Sequence, residues 1–233
     1  MDQALFERLF PLRRMKMSDS YHSGNMDKHN TKNPLKQLCL KRFMSHLLKE
    51  IKNHQRYNSI MNANLLDIGC GEGFVSLQIL QHFPTFRIVG VDNSLKAIEK
   101  AKELCASVQK DNSANIIFQR GDIYNLGFQD NSFDIVLCLE VLEHLERPHD
   151  ALIEIYRVCR RQMIISVPHE PWFQLGNILS FKHVKMFGSP IDHIQHWTNT
   201  SFSELCLAHF KTCSFSKSFP WLLAHITKVE NLP

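Results

Sequence analysis

NLLDIGCGEGF, residues 64–74, holds an apolar run followed by glycines at every second position, Gly69, Gly71 and Gly73, with Asp67 two residues ahead of them. The run Leu65–Ile68 reads as a buried strand, and the glycines read as a tight turn into a helix over Phe74–His82 that Pro84 stops. A turn of this kind after a strand usually cradles a phosphate at a helix N-terminus. The dinucleotide fingerprint, however, requires a sixth-position glycine where Phe74 stands. A carboxylate just upstream would also repel a pyrophosphate, so the pattern points to a ligand with positive charge.

Strand and helix signals alternate on both sides of this stretch. Asn33 and Pro34 form a cap and first-turn pair for a helix over about residues 34–52, in which Leu35, Leu38, Cys39, Phe43, Leu47, Leu48 and Ile51 share one face. RIVGVD (87–92) is a second strand, and Ser94 caps a helix burying Ala97, Ile98, Ala101, Leu104 and Cys105. NIIFQRGD is a third strand ending at Asp122, and FDIVLCLE a fourth ending at Glu140. A helix around Ala151–Cys159, the strand MIISVP, a helix near Ser201–His209 opened by a Ser201-x-x-Glu204 capping box, and strand-like runs at Thr212–Ser218 and Leu222–Val229 complete the series. The alternation predicts an α/β domain built on a mainly parallel sheet with helices on both faces.

In such sheets ligands sit beyond the carboxyl ends of the strands. The loops expected there carry Asp67 with the glycines, Asp92, Asp122 and Glu140, an acidic rim. S-adenosylmethionine has the parts this rim would receive. Its ammonium suits the first carboxylate, its ribose hydroxyls suit Asp92, 23 residues beyond Gly69, and its adenine amino group suits Asp122, with Ile123 packed on the ring.

The segments LLDIGCGEG, VGVDNS, RGDIYNLGF, FDIVLCLEVLEHLERP and ISVPHEPW together resemble the successive motifs of class I S-adenosylmethionine-dependent methyltransferases of the small bacterial type. The similarity covers about residues 32–230. It implies a Rossmann-like sheet of seven strands with an antiparallel last strand. It also implies cofactor contacts at Asp67, Gly69, Gly71, Asp92, Asn93, Asp122, Ile123 and Leu139. The expected reaction is methyl transfer to a small-molecule acceptor, at oxygen or at a carbon next to it, with a hydroxyl favoured. Neither the Asp/Asn-Pro-Pro-aromatic motif of amino-methylating enzymes nor a Pro-Cys pair for cytosine C5 chemistry follows the fourth strand.

In LEVLEHL, Glu140, Glu143 and His144 have i, i+3, i+4 spacing and would share one side if a helix starts there. Glu143 and His144 are the candidate catalytic residues, as a general base. A metal is not expected; were one held, Glu140, Glu143 and His144 would supply ligands with His193 of DHIQHWT, as the resemblance to small-RNA 2′-O-methyltransferases implies. RNA 2′-O-methylation is therefore one alternative, and a non-catalytic cofactor-binding subunit is the other. Residues 168–200, with Trp172, Phe173, Phe181, Phe187 and Trp197 among His169, His183, His193 and His196, are the expected acceptor side. A mostly apolar pocket with a few donors suits a planar or lipidic acceptor.

The 233 residues suffice for one sizeable core. The seven cysteines lack CxxC spacing and read as reduced core residues of a cytoplasmic protein, and no apolar run is long enough for a membrane span. Residues 1–31 are expected to have little fixed structure, leaving 32–233 as the domain. Residues 1–62 carry 12 Lys/Arg against 5 Asp/Glu, so the basicity is N-terminal. Those cations are spread out and not interleaved with aromatics, which favours a solvated face over a nucleic-acid grip. The pattern does not specify an oligomeric state.

Overall fold

The computed structural model describes residues 33–58, 62–108, 115–170 and 194–228. Residues 1–31, and with them the expected loose arm, lie outside that set, as do most of the expected acceptor-side insert and His193. Asn33 caps the first helix, α1 (Pro34–Asn58), its Oδ1 accepting from the N–H groups of Leu35 and Lys36 at 3.0 and 3.2 Å. The helix runs six residues past the expected end. It buries Phe43, Met44, Leu47 and Ile51, but Leu35 and Leu38 of the periodic stripe are 65% and 50% exposed, because the first two turns extend beyond the core.

β1 (Asn64–Ile68) leads into α2 (Phe74–His82), β2 (Arg87–Asp92) into α3 (Leu95–Val108), and β3 (Ile116–Arg120) and β4 (Phe133–Leu139) follow. After β4 come α4 (Pro148–Val158), β5 (Cys159–Pro168), α5 (Asn199–His209), β6 (Cys213–Ser218) and β7 (Trp221–Thr227). The seven strands form one sheet in the order β3-β2-β1-β4-β5-β7-β6. The pairs from β3 to β5 are parallel, and β7 is antiparallel to both β5 and β6. This is the predicted seven-stranded, mainly parallel architecture.

Strand alternation divides the core in two. Leu65, Ile135, Leu137 and Ile164 face α1, α2 and α3, whereas Leu66, Val136, Cys138 and Ile165 face α4 and α5. Asp67 shares the first face with Leu65, which carries its carboxylate to Ser76 on α2. β1, the strand with the glycine turn, pairs with β2 on one side and β4 on the other. Chain order reverses there, the point at which sheets of this kind receive their ligands.

Four boundaries differ from expectation for local reasons. β3 ends at Arg120: Gly121 N–H makes the last ladder bond, to the Asp92 carbonyl, and Asp122 then closes its own turn by accepting from Tyr124 N–H at 2.9 Å. Cys159 begins β5 and does not end α4, because its backbone is already extended. α5 is capped one turn earlier than Ser201: Thr198 is the cap, its side chain accepts from Ser201 N–H, and Ser201 is the third helical residue, not the first. The segment after β4 is not the start of a helix. Glu140 takes a left-handed backbone (φ 56) and only a single 3-10 turn, Leu142–His144, follows.

Candidate functional site

The glycine turn is built by close approach. Gly69 (φ 71), Gly71 (φ 52) and Gly73 (φ 80) all lie in the left-handed region that a side chain disfavours. A Cβ on Gly69 would stand 2.3 Å from Val141 Cγ2, so the turn and the loop after β4 touch directly. On the other side the Phe118 ring fills the space where Cβ atoms of Gly73 and Gly90 would stand, at 2.6 and 2.5 Å. Gly90, in the middle of β2, was not singled out from the sequence; a glycine inside a strand is the available signal of such an approach.

The hydrogen bonds of the turn bear on the phosphate question. Gly69 and Cys70 donate to the Val91 carbonyl at 2.7 and 3.1 Å, Gly71 donates to Asp92 Oδ2 at 2.9 Å, and Gly73 donates to the Cys70 carbonyl at 2.9 Å. Four of the five N–H groups between Gly69 and Gly73 are thus used by the protein, one of them by a carboxylate. An anion would find few donors and a negative neighbour. Asp92 also accepts from Ser94 N–H at 2.9 Å through its other oxygen, so its carboxylate is fixed at the end of β2. Each carboxylate oxygen retains a further lone-pair direction with which to receive a hydroxyl.

Two more carboxyl groups lie beside the turn. Asp67 is 2% exposed and accepts from the Ser76 hydroxyl. Burial pushes its pKa up to about 7, the Ser76 bond pulling it down and the charge of Asp92 adding to the rise. Glu72, also 2% exposed, has no hydrogen-bond partner for either oxygen beyond its own residue among the described residues. Burial pushes its carboxyl above the usual range, against the pull of its own backbone N–H and of Lys100. Glu72 was not singled out from the sequence, because a polar residue between glycines reads as solvated. Three acids around one turn with little cationic compensation fit a positively charged ligand, as S-adenosylmethionine is, and disfavour a phosphate.

The remaining sequence-predicted residues lie at or just beyond the carboxyl ends of β2, β3 and β4. Asn93 is exposed at the start of the β2–α3 loop, and its carbonyl accepts from Arg120 Nε at 3.0 Å. Asp122 is exposed, and the next residue, Ile123, is 9% exposed against the α4 and α5 face of the core. Leu139 ends β4 half-buried, and Glu140 N–H bonds to the Ser166 carbonyl at 2.9 Å. Glu143 and His144 part company on the 3-10 turn, Glu143 being 1% exposed and His144 exposed. Among the described residues no three His, Cys, Asp or Glu side chains group to hold a metal.

The acceptor-side residues within the described set converge on the loop after β4. The Glu143 carbonyl accepts from Ile194 and Gln195 N–H at 2.8 and 3.0 Å. Glu170, just past β5, donates its N–H to the Trp197 carbonyl at 2.9 Å and is 5% exposed, with His196 Nδ1 3.9 Å from its Oε1. Trp197 is buried edge-on against Phe202, so this aromatic belongs to the core. Three segments, 140–145, 169–170 and 194–197, therefore meet beside the glycine turn.

Residues 66–166 match the family described as methyltransferase domain. An uncharacterized methyltransferase of Schizosaccharomyces pombe is 34% identical over 119 residues, 50% of this chain and 40% of its own length. A ubiquinone biosynthesis O-methyltransferase of Rickettsia bellii is 25% identical over 49% of this chain and 44% of its own, and a sterol 24-C-methyltransferase of Neurospora crassa is 30% identical over 47% and 30%. The chain spans about two fifths of the length of the first curated relatives it matches. Among solved structures, a protein from Pyrococcus horikoshii superposes with a TM-score of 0.64 at 20% identity, covering 97% of this chain and 99% of that one. A magnesium protoporphyrin IX methyltransferase from Synechocystis with bound S-adenosylhomocysteine gives 0.63 at 14%, covering 88% and 92%. A small RNA methyltransferase gives 0.65 at 21%, covering 93% of this chain and 27% of that one. Residues 66–166 thus match a methyltransferase domain, and the seven-stranded sheet around them has the fold of these solved structures, one of them a methyltransferase with bound S-adenosylhomocysteine. S-adenosylmethionine is the methyl donor that corresponds to that bound product.

Proposed function

We propose that this chain transfers a methyl group from S-adenosylmethionine to a hydroxyl of a small-molecule acceptor. The observation that carries the reading is Asp92, whose two oxygens are held by Gly71 and Ser94 N–H groups at the mouth of the sheet beside two further buried acids. When bound, the cofactor supplies an electrophilic methyl group on a sulfonium. Asp92 would receive the ribose hydroxyls. Gly69 and Gly71 would let backbone approach the ligand, and Asp67, which exchanges its proton near pH 7, would face the ammonium end as a carboxylate once that cation is bound. Asn93, Asp122, Ile123 and Leu139 would line the adenine side.

Displacement at a methyl carbon needs alignment and, for a hydroxyl acceptor, a group to take the proton. His144 is assigned that role because it is exposed beside the crevice, whereas Glu143 is enclosed and its carbonyl holds residues 194–195. The half-buried His169, whose pKa is lowered by burial and by Lys217, stays neutral near pH 7 and can bond an acceptor without adding charge. A planar or lipidic acceptor fits an acceptor side that includes the aromatic and histidine residues of 168–200. The ubiquinone and sterol relatives act on such molecules and support that class.

The test is incubation with methyl-labelled S-adenosylmethionine and fractionated extract. Label is expected in a lipid or small-metabolite fraction. His144→Ala should lower kcat at least tenfold with the affinity for S-adenosylmethionine unchanged. Label entering RNA would overturn the small-molecule acceptor, and an unchanged kcat in His144→Ala would remove the base.

A further inference from the structure

We infer that the rim formed by the first turns of α1 and the β6–β7 turn docks on an anionic lipid surface, so that the acceptor side opens at the bilayer interface. Register places the parts. Trp221, at the start of β7, pairs with Pro168 at the carboxyl end of β5, and its ring packs on Phe43 of α1 with centroids 5.0 Å apart. One turn further along α1, His46 Nε2 lies 2.9 Å from Ser216 Oγ, which also bonds His225 Nε2 at 2.8 Å, and His225 pairs with Ile164, deeper in β5. α1 therefore runs from the ligand-binding rim of the sheet toward the opposite edge. Leu35 and Leu38 precede Phe43 and so stand at the rim.

The β6–β7 turn reaches the same level, since Ser218 pairs with Trp221 there. Phe219 in that turn is 60% exposed, and the following residue, Pro220, accepts from His169 N–H at 2.9 Å. Three exposed apolar side chains, Leu35, Leu38 and Phe219, thus stand beside the candidate acceptor side. Two cations stand among them: Arg42 is exposed one turn past Leu38 on α1, and Lys217 is exposed two residues before Phe219. The one acid of α1, Glu50, lies 3.9 Å from His225 Nδ1, on the sheet side of the helix.

Apolar tips among Lys and Arg suit insertion between anionic headgroups. Single-stranded nucleic acid would call instead for stacking aromatics along a basic groove, and leucines cannot stack on bases. No described helix is long and apolar enough to cross a membrane, so the contact is peripheral. The inference rests on the methyl-transfer reading for its purpose, delivery of a lipidic acceptor, but not for its test.

The full chain is sedimented with vesicles of phosphatidylcholine alone or with phosphatidylglycerol, at low and high salt, with S-adenosylmethionine calorimetry on the same samples. The expected result is binding to the anionic vesicles, at least tenfold weaker to neutral ones and weaker in high salt. Leu38→Glu/Phe219→Glu should lose at least tenfold in vesicle binding with cofactor heat unchanged. Arg42→Glu/Lys217→Glu, two exposed positions, should lose several-fold and reduce the salt dependence. No vesicle binding, or binding that both double variants leave intact, overturns the inference, as does RNA retention in place of vesicle binding. Vesicle binding without any cofactor heat would refute the methyl-transfer reading and leave the docking standing.

Discussion

At Asp67 a carboxyl group lies almost wholly out of water, and its pKa of about 7 stands above its ordinary 3.8. Between those values the folded chain holds a proton that the unfolded chain has released. The stability from the neutral carboxyl is full below about pH 4 and is lost as pH rises through 7, an effect of up to about 4 kcal/mol. Asp67→Asn should flatten the fall in denaturant stability between pH 5 and pH 8 and leave the apo variant the more stable protein at pH 8. Parallel pH profiles for the two proteins would contradict this environment. A shallow residual slope should persist from Glu72, whose carboxyl burial also raises. The position of Asp67 was legible in the sequence, two residues before the glycines, but its seclusion was not. Seclusion depends on Ser76, nine residues away on the next helix, and on strand alternation that turns Asp67 toward it.

Helices and strands were legible where periodicity and caps agreed, as in α3 behind Ser94, whose hydroxyl accepts from Ala97 N–H at 3.2 Å. They were misread where one residue breaks the local geometry. The spacing of Glu140, Glu143 and His144 suits a helix, yet the left-handed backbone at Glu140 aims one side chain inward and another into solvent. The loop instead drives Val141 against Gly69, a contact between residues 72 positions apart that no local pattern encodes. Gly69→Ala would add a left-handed strain of about 1–2 kcal/mol to a 2.3 Å overlap with Val141. It should lower chemical-denaturation stability by at least 2 kcal/mol; a neutral substitution would mean that turn and loop are not in contact. At α1, Phe43→Ala should cost about 3–5 kcal/mol, as for a buried ring, and shift the Trp221 emission to longer wavelength. Unchanged emission would show that α1 is not seated on β7.

Across the whole molecule the sheet order brings the ends of β1, β2 and β4 together at one reversal point, and the acids on those ends follow from it. That much could be anticipated, since alternating strands and helices dictate where ligands sit. The third dimension of the site could not. Glu170 is tied by a backbone bond to Trp197, 27 residues later, and Phe118 reaches the glycine turn because β3 flanks β2. Binding of a positive methyl donor at this acid-lined mouth is the step on which the proposed reaction depends. Calorimetric titration of the folded chain with S-adenosylmethionine tests this most directly. One-to-one binding is predicted, weakened at least tenfold in Asp92→Asn. No heat with the wild-type chain, or equal affinity in the variant, would contradict it.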